Sequence, residues 1–339
     1  MFILSLLTAA MGVLIAFLVG LNAGTIGAGL GLLDHPDGMR KIHARTTPLV
    51  GGFAVAGTAV VATVLVGVFI GDIRLIGLGS AVAAMFAIGA IDDRKHLPPL
   101  LRLSAAIAVL AVLLTLMPVY ALAELRFGGM VAVGLLPGLA GVGFTLLCLV
   151  GLLNAINMAD GKNGIVIGFG LVWTMVLAVH APLLLAPVLA GAAGALAVTL
   201  GFNLRGKLFL GDGGSYSLSA LYGLAAIFVY NAPGATMDAG DVAVLFAIPV
   251  FDTVRLMVVR LIGGRSPLEG DRDHLHHHLY ARIGWPRGLW VYLGMIAGPN
   301  IGALVWPGTG LVWLAISFLL YALVMAATRF TAAAGRPAE

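Results

Sequence analysis

The residues able to do chemistry in this chain fall into five short polar links between long apolar runs. One link, AIDDRKHLPPLLRL, sets Asp92 and Asp93 side by side where an apolar run ends. If that run is a helix finishing there, the two carboxylates oppose its dipole at about 0.3–1 kcal/mol each, and they repel one another. Such a pair asks for a counter-charge. A divalent cation, the adjacent Arg94 and Lys95, or unequal proton affinities within the pair would each supply an answer.

Another link, GLLNAINMADGKNGIVIG, spaces Asn154, Asn157, Asp160 and Asn163 by three. Helical continuation through Asp160 lines the first three along one side, with Gly161 and Gly164 breaking the run. Amides and a carboxylate suit a nucleobase, a ribose or a hard cation, and they also suit plain helix capping. In FNLRGKLFLGDGGSYSLSALYG, Lys207 precedes Gly-Asp-Gly-Gly-Ser at 211–215. Backbone N–H groups at a helix start would form an anion site there, with Asp212 holding Mg²⁺ and Lys207 adding charge. The Walker spacing is absent. An N-cap followed by flexible glycines is the alternative.

The link GGRSPLEGDRDHLHHHLYARIG carries His274, His276, His277 and His278. If 272–282 is helical, His274, His277 and His278 share one face and His276 turns away. These imidazoles would bind a transition metal or neutralise phosphate oxygens. The first link, GMRKIHARTTPLVGG, puts Lys41 and His43 beside a Pro48 turn and the Gly51-Gly52 pair, where the backbone can come close to a ligand. A basic membrane anchor would look the same.

The elements that must position these groups are membrane helices. Of the 339 residues, 60% are hydrophobic and 10% charged, and mean hydropathy is +1.06; a soluble domain carries about 25% charged residues. A spanning helix needs roughly 20 apolar residues. Eleven such spans are expected, near 2–24, 51–70, 75–91, 100–122, 137–156, 164–181, 183–202, 214–231, 241–262, 288–306 and 309–328. They form an all-α polytopic bundle, a single membrane domain over 1–339. Segment 2–24 lacks a basic flank before it and is expected to remain as the first helix. Cys148, the single cysteine, excludes a disulfide framework and is expected to be a small core residue.

With odd-numbered spans running inward, all but Arg74 and Arg126 of the 19 basic residues lie on the inner side. The positive-inside rule then places the N-terminus outside and the C-terminus in the cytoplasm. The net charge of +4 is thus a topology signal, and no compact basic fold speaks for nucleic acid. All five links fall on the inner side.

Taken in order, KIHARTTPLVGG, DDRKHLPP, NAINMADG, FLGDGGS and DRDHLHHHL resemble the inner-loop motifs of the polyprenyl-phosphate N-acetylhexosamine-1-phosphate transferases, in glycosyltransferase family 4. The eleven-span plan resembles the WecA/TagO branch more than the ten-span MraY branch. That resemblance implies a UDP-N-acetylhexosamine donor, most simply UDP-GlcNAc, and undecaprenyl phosphate as acceptor, on the cytoplasmic face of a bacterial inner membrane. UMP is the co-product, and Mg²⁺ is the cofactor, with Mn²⁺ as a substitute. Partners are then these substrates, membrane lipid and a second copy of the chain. It also implies Asp92, Asp93 and Arg102 as catalytic residues and Asp212 and Asn157 as metal ligands. Lys41, His43, Asn154, Asp160, Asn163, Asn203, Lys207, Arg265, His274, His277 and His278 are expected to bind the substrates. One departure stands out: most bacterial members read Asp-Gly-x-Asp-Gly where this chain has Asp160-Gly161-Lys162-Asn163-Gly164.

Bringing two anionic phosphates together needs cations to offset repulsion and to stabilise the transferring group. The lipid phosphate is largely dianionic at neutral pH, since its second pKa is about 6, so direct attack is the preferred route and a phospho-aspartyl intermediate the other. The competing class is an ion-coupled transporter, which would want its charged residues near the midplane rather than at the inner helix ends.

Overall fold

The computed structural model describes residues 1–35, 46–128, 134–266 and 273–334. Lys41 and His43 lie outside the described residues. Among the described residues, thirteen α-helices run in chain order: α1 (Phe2–Leu21), α2 (Ala23–Leu30), α3 (Gly51–Ile70), α4 (Ile73–Lys95), α5 (Pro99–Leu116), α6 (Leu139–Ala159), α7 (Ile165–His180), α8 (Ala186–Leu204), α9 (Gly211–Tyr230), α10 (Ala239–Ile262), α11 (Leu275–Ile283), α12 (Arg287–Val305) and α13 (Gly310–Ala334). The protein is an all-α, polytopic membrane bundle. Two short antiparallel ladders join its ends, β1 (Leu33–Asp34) with β2 (Thr47–Pro48) and β3 (Glu124–Leu125) with β4 (Gly134–Leu135).

Helix boundaries follow local chemistry. Asp72 caps α4 by accepting from the Arg74 amide, Pro99 opens α5 where a missing N–H costs nothing, and Asp238 with Asp241 closes a capping box on α10. The expected first span, 2–24, is interrupted at Asn22, where α1 gives way to α2.

Among the described residues, nine helices are long and apolar enough to cross a membrane. The expected spans at 164–181 and 214–231 correspond to α7, which is apolar but only 16 residues long, and to α9, whose first turns are polar. α9 is the hub of the bundle. Every residue in it except Asp212 is buried, against α3, α4, α6 and α7. The outer helices instead present large apolar side chains, with Phe69 77%, Leu139 89% and Ile262 84% exposed, a surface suited to lipid rather than water. Cys148 joins that outer surface: it is exposed on α6 and is not a core residue.

Both ends of the bundle are tied by polar contacts. At one end Tyr120 donates to the Arg74 carbonyl and Asn231 to the carbonyls of Val119 and Ala121. The opposite end gathers the C-termini of α4 and α6, the N-termini of α5 and α9, and the short helix α11.

Candidate active site

The paired aspartates sit in the last turns of α4, where a helix dipole disfavours negative charge. Each has found a different partner. Asp93 reaches the start of α9, accepting from the Asp212 amide at 2.9 Å and the Gly213 amide at 3.0 Å. The positive end of one helix thus offsets the carboxylate at the negative end of another. Asp92, 3% exposed, accepts from Arg102 Nη1 at 2.5 Å and from the Leu97 amide at 2.7 Å.

This arrangement corrects the reading of Gly-Asp-Gly-Gly-Ser as a phosphate cradle. The amides expected to face a ligand face Asp93. The glycines serve close packing: a Cβ on Gly52 would stand 2.5 Å from the Gly214 nitrogen, and one on Gly89 2.3 Å from the Asp212 carbonyl oxygen. Only without those carbons can α3 and α4 press on the head of α9. Gly211, at φ +75°, makes the turn into the helix.

Asp212 points away from the hub. Asn157 Nδ2 donates to its Oδ1 at 2.6 Å and also meets Ser215 Oγ at 3.2 Å, while Arg102 Nη1 lies 3.8 Å from its Oδ2. Asp92, Asp93, Arg102, Asn157 and Asp212 therefore form one cluster, although the sequence spreads them over four helices. Two of its three carboxylates, Asp92 and Asp212, share the Arg102 guanidinium.

Around this cluster the expected substrate residues divide. α6 ends at Ala159, so Asp160 caps the helix rather than continuing it. Burial, and then the charge of Asp93, pushes the Asp160 carboxyl up to about 7. Asn154 donates to the Val150 carbonyl of its own helix. Asn203 is buried and accepts from the Gly164 amide at 2.7 Å while donating to the Leu208 carbonyl at 3.0 Å, which pins two inner links together. Both ends of its amide are thereby used on backbone. Asn163 accepts Trp285 Nε1 through its main-chain carbonyl. Lys207 is exposed with its ammonium 5.9 Å from the Phe202 ring centroid, and Arg265 is exposed just past α10.

The histidine helix departs most from expectation. It begins at Leu275 with His274 as N-cap, and His276, thought to turn away, is the most buried of the four histidines at 1% exposure. Its ring packs where a Cβ on Gly161 would lie, 2.1 Å from Nε2, and stacks on His274 at 5.4 Å. Lys162 lies over the Tyr280 ring at 3.9 Å. These contacts and the Trp285 bond seat α11 on the link 160–164, directly beside Asp160.

Five further residues hold α11 from behind and were missed in the sequence. Asp252 of α10, buried, accepts from His274 Nδ1 at 3.0 Å and from the Leu275 amide at 3.2 Å. Tyr321 of α13 donates to Asp252 at 2.8 Å, and Arg255 donates to Asp252 at 3.1 Å and to Asp273 at 2.7 Å. Asp273 also accepts from His278 Nε2 at 2.7 Å and from Arg329 at 2.5 Å. Against the upward push of burial, the Arg255 and His278 bonds keep the Asp273 carboxyl below its ordinary range. An Asp and an Arg inside an apolar span were the available signal; nothing marks Tyr321.

A family model described as glycosyl transferase family 4 matches residues 75–247. That stretch runs from α4 into α10 and takes in the whole carboxylate cluster. The chain is 31% identical over 281 residues to the decaprenyl-phosphate N-acetylglucosaminephosphotransferase of Mycolicibacterium smegmatis, covering 71% of this chain and 66% of that one. It is 32% identical over 271 residues to the undecaprenyl-phosphate alpha-N-acetylglucosaminyl 1-phosphate transferase of Escherichia coli, covering 76% and 71%. A Bacillus subtilis protein named probable undecaprenyl-phosphate N-acetylglucosaminyl 1-phosphate transferase aligns over 322 residues at 27% identity, covering 87% and 82%. With half its length and all five clustered residues inside the family match, the chain belongs to glycosyl transferase family 4.

Proposed function

We propose that this protein transfers an N-acetylhexosamine-1-phosphate, GlcNAc-1-phosphate in the simplest case, from its UDP-sugar to undecaprenyl phosphate as the first membrane step of a cell-envelope polysaccharide. The observation that carries this reading is the cluster of Asp92, Asp93, Asp212, Asn157 and Arg102 at one end of a lipid-facing bundle. A prenyl tail can lie in the bilayer there while its phosphate meets polar groups at the helix ends. Eleven crossings with the N-terminus outside and this end in the cytoplasm of a bacterial inner membrane are supported by the distribution of Lys and Arg.

The chemistry is a phosphoryl transfer. An oxygen of the lipid phosphate attacks the β-phosphorus of the UDP-sugar, the bond from that phosphorus to the bridging oxygen breaks, and UMP leaves with the electron pair. The attacking phosphate is already largely dianionic, so no strong base is required. Asp92 and Asp93, both engaged in hydrogen bonds, set geometry rather than take a proton.

Mg²⁺ fits the donor set. Asp212 offers a carboxylate, and Asn157, which gives its N–H to Asp212, keeps a neutral amide oxygen beside it. Mg²⁺ commonly takes one or two carboxylates and completes its shell with waters and phosphate oxygens. When bound, the ion supplies positive charge to the diphosphate. Arg102 adds a fixed cation between Asp92 and Asp212, and α11 brings imidazoles toward the donor.

The test is radiolabelled UDP-GlcNAc with undecaprenyl phosphate in detergent, following lipid label and UMP release with and without chelator. Label that needs Mg²⁺ and is reduced at least 100-fold in Asp212→Asn is expected. No label with any of a panel of UDP-N-acetylhexosamines would overturn the reading.

A further inference from the structure

α11 is clamped on two sides. In front, His276 fills the space over Gly161, Lys162 rides on Tyr280 and Trp285 bonds to Asn163. Behind, Asp252 holds both the ring of His274 and the amide of Leu275, the cap and first residue of the helix. A buried carboxylate that accepts from imidazole Nδ1 fixes the ring's orientation, and leaves Nε2 as the nitrogen that donates to an anionic ligand when the ring carries both protons. Asp252 is itself over-determined: Tyr321 and Arg255 bond to it, Arg255 Nε donates to Tyr321 Oη at 2.7 Å, and Arg255 also bonds to Asp273. An acid this buried and this fully bonded is more than an anchor for one helix end. A hydrophobic contact would fix α11 without desolvating a charge.

We propose that Asp252 is a positioning residue for the transfer reaction: held by Tyr321 of α13 and Arg255, it aims the His274 imidazole at the donor side of the active site. This rests on the transferase reading above and adds to it a residue outside the stretch matched by the family, 75–247. Asp252 touches no substrate. It acts through His274, so its loss and the loss of His274 must remove the same interaction.

The experiment is a double-mutant cycle on the full chain in detergent, with Asp252→Asn, His274→Gln and the pair, scored by kcat and by KM for UDP-GlcNAc. Misaiming a group by about 1 Å can cost on the order of 100-fold in rate; each single variant is expected to lose 10- to 100-fold in kcat. The pair should lose no more than the worse single variant, because residues acting as a unit are not additive. Tyr321→Phe removes one bond to Asp252 without touching the charge. It should show a smaller loss, 2- to 10-fold, and that loss should disappear when His274 is already Gln. If Asp252→Asn fails to fold, the Tyr321→Phe and His274→Gln cycle carries the test alone. Losses that multiply in the double variants overturn the inference while leaving the transferase reading intact. Wild-type protein that transfers no label overturns both.

Discussion

Replacing Asp93 with Asn separates a structural role from a chemical one. The carboxylate accepts two backbone N–H groups at the head of α9, from Asp212 and Gly213. An Asn side chain has one acceptor oxygen, so one of those buried donors is orphaned, at about 1–3 kcal/mol. The negative charge facing the positive end of α9 is lost as well, worth about 0.3–1 kcal/mol, and relief at the negative end of α4 offsets it by a similar amount. Asp93→Asn should therefore destabilise the fold by about 1–3 kcal/mol, read as a shift in equilibrium unfolding in detergent followed by tryptophan fluorescence. Asp212→Asn, whose side chain points out of the hub toward Asn157 and Arg102, should lose activity with under about 1 kcal/mol of stability. An Asp93→Asn protein as stable as wild type would refute the idea that this carboxylate holds the two helices together.

Gly89→Ala would set a Cβ 2.3 Å from the Asp212 carbonyl oxygen and 2.5 Å from the Gly213 nitrogen, both backbone. α4 and α9 must part, at about 1–3 kcal/mol or more, and transfer activity should fall with stability; an unchanged melting temperature would contradict the close packing. His276 is governed by burial first and by His277 and His274 next, which hold its pKa well below the usual imidazole value. The unfolded chain takes a proton as pH falls through about 6.5 and the folded ring does not. The contribution is complete above that pH and is lost below it, at up to about 1.4 kcal/mol per pH unit. His276→Gln should flatten that slope, and an unaltered acid limb would refute it.

The reactive links were legible because their residue types clash with apolar surroundings, and Asp92-Asp93 signalled a missing counter-charge at a helix end. What answers that charge was not legible. The amides of residues 212 and 213 come from 119 and 120 residues further along the chain, and no local pattern encodes so distant a pairing. The same holds for Asn203, whose type suggested a ligand but whose amide bridges two links. His276 was misjudged because helical spacing tells which residues share a face and not which face packs: α11 lies with His276 against Gly161 of the link 160–164. Asp252 and Arg255 did carry a signal, as charges three apart in an apolar span, yet their partner Tyr321 is one aromatic among many.

The clamp behind α11 also bears on how the protein is made. Tyr321 and Arg329 belong to α13, which leaves the ribosome after α10 and α11, and chains fold from the N-terminal side as they emerge. The carboxylate cluster, complete once α9 has been synthesised, can assemble early. The histidine helix cannot be locked until α13 has entered the membrane and packed on α10, so the site becomes whole only after α13 is in place.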